Sequence, residues 1–155
     1  MLSLGLDVRQ WVTPDQPEIR SLAFELGSPS AIYDYMRNIK YVSGFYLLKP
    51  IEVLHRGQGD CDEQAVLLCS LLRAIGEEAF VRVAKIEDWP ILHAWVVWRD
   101  PAYGCWRNLD PSGTVWFLDD PGYGETLPIT MLLDFNDQKI YDYGGLNQIL
   151  HIFRA

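Results

Sequence analysis

The sequence predicts an α+β fold, with helices first and then adjacent strands in a mostly antiparallel sheet. Three observations carry this reading. Apolar residues recur at helical spacing through the first half of the chain. Segments rich in Val and Ile, separated by turn residues, fill much of the second half. The turn Asp100-Pro101-Ala102-Tyr103-Gly104 joins two of those segments directly, which makes them antiparallel neighbours.

The first helix is read from Ile19, Leu22, Ala23 and Leu26, at i, i+3, i+4 and i+7, with Gly27 as its stop. Ser28-Pro29 is an N-cap followed by proline at the first helical position, and Ile32, Tyr35, Met36 and Ile39 form the apolar face of that second helix. Residues 40–49 are aromatic and irregular. Residues 50–54 suit a short helix, which Gly57-Gln58-Gly59 breaks. The best-defined helix opens at Asp60. Glu63, three residues on, completes a capping box with Asp in place of Ser or Thr. Ala65, Leu68, Cys69, Leu72 and Ile75 repeat at helical spacing, so one side is buried, and Gly76 ends the helix. Strands are expected over residues 80–86, 92–98 and 105–109. A further strand is expected over 114–118, after the turn Pro111-Ser112-Gly113. Residues 129–133 suit a short helix and 139–143 a strand.

With 155 residues, the chain suits one domain, 1–155, with a core of ordinary size. Its net charge of -8 argues against nucleic acid and against an anionic membrane surface as partners. No run of eighteen apolar residues spans a bilayer. The opening residues lack a basic start and a long apolar stretch, so a cytoplasmic location is expected. The three cysteines, Cys61, Cys69 and Cys105, form no CxxC pair. An odd count of this kind fits free thiols in a reducing compartment.

Cys61 is the residue with the most chemistry in its surroundings. It follows the presumed cap Asp60, where the helix dipole and free N–H groups favour a thiolate. Asp60 and Asp62 oppose that effect. Taken alone, Cys61 suits packing as well as chemistry. Cys69, on the apolar stripe, is a packing residue, and Cys105 is read as structural. His93 lies in a strand pattern with Trp95 on the same face, where an indole shields an imidazole. A lone strand histidine is more often half-buried with a backbone partner. His55 competes as a base only if its helix folds back, and His151 is assigned no role. Asp110 ends a strand before Pro111. It serves either a turn or an orienting contact to a second ring N–H of His93. A zinc site made of the same residues lacks close-paired ligand spacing, so no metal and no cofactor are expected.

In this order, Gly59-Asp60-Cys61, the helix end Leu71-Leu72-Arg73-Ala74-Ile75-Gly76, His93-Ala94-Trp95 and Leu109-Asp110-Pro111 resemble the transglutaminase-like superfamily of papain-fold cysteine enzymes. The core motif region is about residues 28–118. The resemblance implies a papain-like core, with the nucleophile's helix packed on the sheet that carries the other two residues. It implies Cys61 as nucleophile, His93 as general base and acid, and Asp110 as the orienting carboxylate. The implied chemistry is acyl transfer from a protein or peptide amide through a thioester, ending in crosslinking with an amine or in deamidation or proteolysis with water. Hydrolysis is the preferred outcome, because no acceptor channel is legible. One oxyanion donor is the Cys61 N–H, and Gln58 is the nearest side-chain amide. Ser112 stands where the family pattern often has Thr. Small stand-alone members occur in bacteria, archaea and phages, so a virion-associated protein is expected if the chain is of phage origin. The alternative is a binding or structural module on the same fold, with Tyr41-Val42-Ser43-Gly44-Phe45-Tyr46 as its contact surface. The sequence leaves the oligomeric state open.

Overall fold

The computed structural model describes residues 7–44, 47–88, 92–112 and 129–145. Four helices, α1 (Pro17–Leu26), α2 (Pro29–Tyr35), α3 (Pro50–Arg56) and α4 (Cys61–Ala74), are read in chain order with seven strands. The strands are β1 (Lys40–Tyr41), β2 (Gln58–Gly59), β3 (Ala79–Ile86), β4 (Leu92–Asp100), β5 (Cys105–Leu109), β6 (Ile129–Phe135) and β7 (Ile140–Asp142). The helices start where the residue types dictate. Ser28 accepts the Ala31 N–H, Gln16 accepts the Ile19 N–H, and proline fills the first turn of α1, α2 and α3. The second helix is shorter than its apolar face suggests: α2 tightens into a 3-10 turn over Met36–Asn38.

β3 to β7 form one antiparallel sheet in the order β5-β4-β3-β6-β7. The alternation along β3 and β4 sorts side chains to two faces. Val81, Val83, Ala94 and Val96 join Ala65, Leu68, Cys69 and Leu72 of α4 in the main core. Phe80, Ala84, Ile86, Trp95 and Val97 form a second cluster on the opposite face. On that opposite face Arg82 is paired with Asp134 through two bonds of 2.9 and 2.8 Å.

The expected helix over 129–133 is a strand, β6. Ile129 and Thr130 are β-branched, and the run pairs with β3 along its length, so the sheet settles an apolar stretch too short to show its own period. The expected strand over 139–143 is present as β7 (Ile140–Asp142). The strand expected over 114–118 and the residue His151 lie outside the described residues. Among the described residues no helix is long and apolar enough to cross a membrane.

A two-stranded parallel sheet, β1 with β2, leads into α4. Gly59 allows a close approach there: a Cβ would stand 3.0 Å from Glu63 Cβ and 3.3 Å from Val53 Cγ1. The Gln64 amide donates to the Gly59 carbonyl at 2.9 Å and holds the strand end against the helix. This joint fixes where α4 begins.

Candidate functional site

α4 opens with the capping box that the sequence predicts. The Glu63 N–H donates to Asp60 Oδ1 at 3.1 Å, and the Asp60 N–H donates back to Glu63 Oε1 at 3.0 Å. Glu63 also accepts the Leu48 N–H, which ties the preceding loop to the helix start. Cys61 is therefore the first residue of a well-anchored helix.

Its surroundings decide the contest between dipole and aspartates. The thiol donates to Asp62 Oδ1 at 3.2 Å. Burial, then the Asp62 charge, pushes the Cys61 thiol well up from its usual range, while the Ala94 backbone N–H pulls it down. These surroundings favour the protonated thiol at rest. Asp62 is itself pushed up, to about 6, by burial first and by Asp60 next, with His93 acting in the opposite direction.

The Ala94 contact follows from the sheet. β5 pairs with β4 only from Val96 to Asp100. Among the described residues, the opening of β4 has no strand on that side, and the Cys61 sulfur meets the Ala94 N–H there. The sulfur thus lies against the backbone step that follows His93. Cys61, His93 and Asp110 are 8, 6 and 2 % exposed, so each is nearly closed off from solvent, with Cys61 the most open of the crevice residues.

His93 and Asp110 meet directly. His93 Nε2 and Asp110 Oδ2 are 2.6 Å apart. The other carboxylate oxygen accepts the Ser112 N–H at 3.0 Å and the Ser112 hydroxyl at 2.6 Å. The turn and the orienting contact are therefore the same carboxylate used twice. The Tyr33 hydroxyl, from α2, donates to the Asp110 carbonyl at 3.1 Å and fixes the backbone as well. Trp95 stacks on His93, with ring centroids 5.7 Å apart and planes at 25°. Its indole N–H donates to Asn108 Oδ1 at 2.8 Å, which locks the ring as a wall of the crevice.

The remaining candidates lie on several elements. Gln58 is half-buried in β2, in register with Lys40. His55 is exposed on α3 and lies 2.7 Å from Glu18. Cys69 is fully buried in the main core. Cys105 is exposed at the start of β5, which corrects the expectation of a packed residue: the hairpin turn before it faces solvent. Sequence reasoning missed Tyr33, Ser112 and Asn108 as supports, since each reaches the site from a separate element. Asp62 was legible as a nearby charge but not as the sulfur's partner.

Comparisons with known proteins agree with this fold. One relative is the human Centrosomal protein of 76 kDa, 48 % identical over 59 residues, which are 36 % of this chain. The match spans only 9 % of that protein's length. Among solved structures, Legionella pneumophila LapG superposes with a TM-score of 0.61 at 15 % identity over 80 % of this chain and 73 % of its own. A candidate cysteine protease from Cytophaga hutchinsonii gives 0.56 at 20 % identity, over 73 % of this chain and 45 % of its own. These structures share the papain-like fold, with helices packed on an antiparallel sheet. The family model of the transglutaminase-like superfamily matches residues 18–111, a span running from α1 past the His93–Asp110 bond, so this chain belongs to the transglutaminase-like superfamily.

Proposed function

We propose that the protein is a cysteine-dependent acyltransferase or hydrolase acting on a protein or peptide amide, with Cys61 as nucleophile, His93 as general base and acid, and Asp110 as its orienting carboxylate. The observation that carries this reading is the His93–Asp110 bond of 2.6 Å, whose carboxylate is held by Ser112 on its second oxygen. That arrangement fixes the imidazole and stabilises the imidazolium that proton transfer from a thiol creates. The Cys61 sulfur lies against Ala94, the neighbour of that imidazole. His93 takes the thiol proton, sulfur attacks the carbonyl carbon, and the departing amine receives the proton back. Water then releases the acyl group.

p-Nitrophenyl acetate tests this directly. The expected result is release of p-nitrophenolate with an acetyl group mapped to Cys61 by mass spectrometry, lost in Cys61→Ala and His93→Ala. Equal release from the wild type and Cys61→Ala defeats the reading. Ammonia release from casein, set against incorporation of a fluorescent amine, separates hydrolysis from crosslinking.

One observation favours a second reading, a binding module with an idle triad. The thiol is bonded to Asp62, and that contact holds its proton in place. A protein of this kind gives no acetyl-Cys61 even when Asp62→Asn frees the sulfur.

A further inference from the structure

Two carboxylates, Asp60 and Asp62, act on the one sulfur. Acyl transfer at that sulfur puts a further negative charge on the substrate oxygen. The Cys61 N–H, in the first turn of α4, has no intrahelical acceptor and supplies one donor. Loss of a single donor from such a site costs about 10²–10³ in rate, so one donor facing two carboxylates is a weak provision. The second donor has to come from outside α4.

Tyr41 is placed to supply it. β1 runs parallel to β2, which puts Tyr41 beside Gly59, two residues before Cys61. The bonds Lys40 N–H to Gly57 O (2.8 Å) and Val42 N–H to Gly59 O (3.1 Å) flank Tyr41 and fix its backbone on both sides. The side chain is 49 % exposed, so it is open to an incoming substrate. Its hydroxyl enters no hydrogen bond among the described residues. Burial, then the charges of Cys61, Asp60, Asp62 and Asp110, raises the Tyr41 hydroxyl above its usual range. The hydroxyl is thus within electrostatic reach of the groups at the start of α4 and just past the end of β5. It also keeps its proton at neutral pH and acts as a donor.

We propose that Tyr41 is a catalytic residue that donates its O–H to the substrate oxygen as Cys61 attacks. The assignment rests on the reading of Cys61 as nucleophile. As the S–C bond forms, the thiol proton passes to His93 and the carbonyl π pair moves onto oxygen. That oxygen lies between the Cys61 N–H and the Tyr41 O–H. The pair returns to carbon as the leaving group departs, an amine with the His93 proton or p-nitrophenolate without it.

Two reagents separate this role from a structural one. p-Nitrophenyl acetate forms an oxyanion on reaction; iodoacetamide alkylates sulfur at a saturated carbon and forms none. Tyr41→Phe keeps the ring and removes only the donor. The expected result is a fall of about a hundredfold in acetylation of Cys61. Alkylation of Cys61 by iodoacetamide and the thermal midpoint should stay unchanged. Gln58→Ala should leave acetylation unchanged. Acetylation unaffected by Tyr41→Phe overturns the proposal, as does a parallel loss of acetylation and alkylation, which would mean that Tyr41 acts on the sulfur or the fold. Wild-type protein that never acetylates Cys61 overturns the proposed function itself, and the two failures are told apart by that control.

Discussion

Cys61 and Cys69 lie on one helix, eight residues and so about 12 Å apart, and both are buried. Burial is the largest cause pushing each thiol up. Their likeness ends there. Cys69 stands in mid-helix among Val81, Leu68 and Leu72, where the backbone N–H groups are spent on the helix itself. Cys61 stands in the first turn, where N–H groups lack helical acceptors, beside Asp62 and the N–H of Ala94, the residue after His93. A raised thiol does not tell a core residue from a reactive one. The polar groups gathered around the sulfur do.

The largest effect that sharpens this contrast is complete. Cys61→Ala should abolish acetylation by p-nitrophenyl acetate, whereas Cys69→Ala should retain it; comparable losses in the two would erase the distinction. His93→Ala comes next, with an acetylation rate lower by about a thousandfold or more in stopped assays, and Asp110→Asn should fall in the same direction because it frees the imidazole to take the wrong tautomer.

Asp62→Asn should be the intermediate case and should work in the opposite direction. It removes the charge and strongest acceptor that hold the thiol proton, so alkylation of Cys61 at neutral pH should rise about tenfold, equal to roughly one pKa unit. The same variant tests the stability linkage. Asp62 titrates near 6 in the folded protein against a usual value of 3.8. Between those values the folded chain binds a proton that the unfolded chain has released, so stability falls as pH rises from about 4 to 6. Below that window both states are protonated and the difference vanishes. Asp62→Asn should flatten this slope in denaturant titrations and raise stability at pH 7 by about 1–3 kcal/mol. A slope that persists in the variant assigns it to another carboxylate.

The smallest effect belongs to Cys69. Cys69→Ala should cost about 1–2 kcal/mol in chemical denaturation, from a small cavity in the main core, with Cys61 chemistry intact. A change in acetylation there would join the two cysteines into one unit and defeat the contrast.

Much of the fold was legible because its signals are local. The Asp60–Glu63 capping box, the stop at Gly76 and the Asp100–Gly104 hairpin each act within a few residues, and all are present. Residues 129–133 were misread because an apolar run of that length carries no period of its own; pairing with β3 made it a strand. For the candidate site, motif order singled out Cys61, His93 and Asp110. It did not single out their supports. Tyr33, Ser112, Asn108 and Asp62 act through space, from α2, a turn, β5 and the helix start.

The sequence by itself determined that a thiol opens a capped helix and that an imidazole and a carboxylate follow on strands, because capping, periodicity and motif order are written along the chain. The tertiary structure decided the rest. It set the His93–Asp110 bond and put the sulfur against Ala94, where β5 stops pairing with β4. It also set the balance at the thiol toward the proton. That balance depends on desolvation and on charges from several elements, neither of which exists until the elements pack.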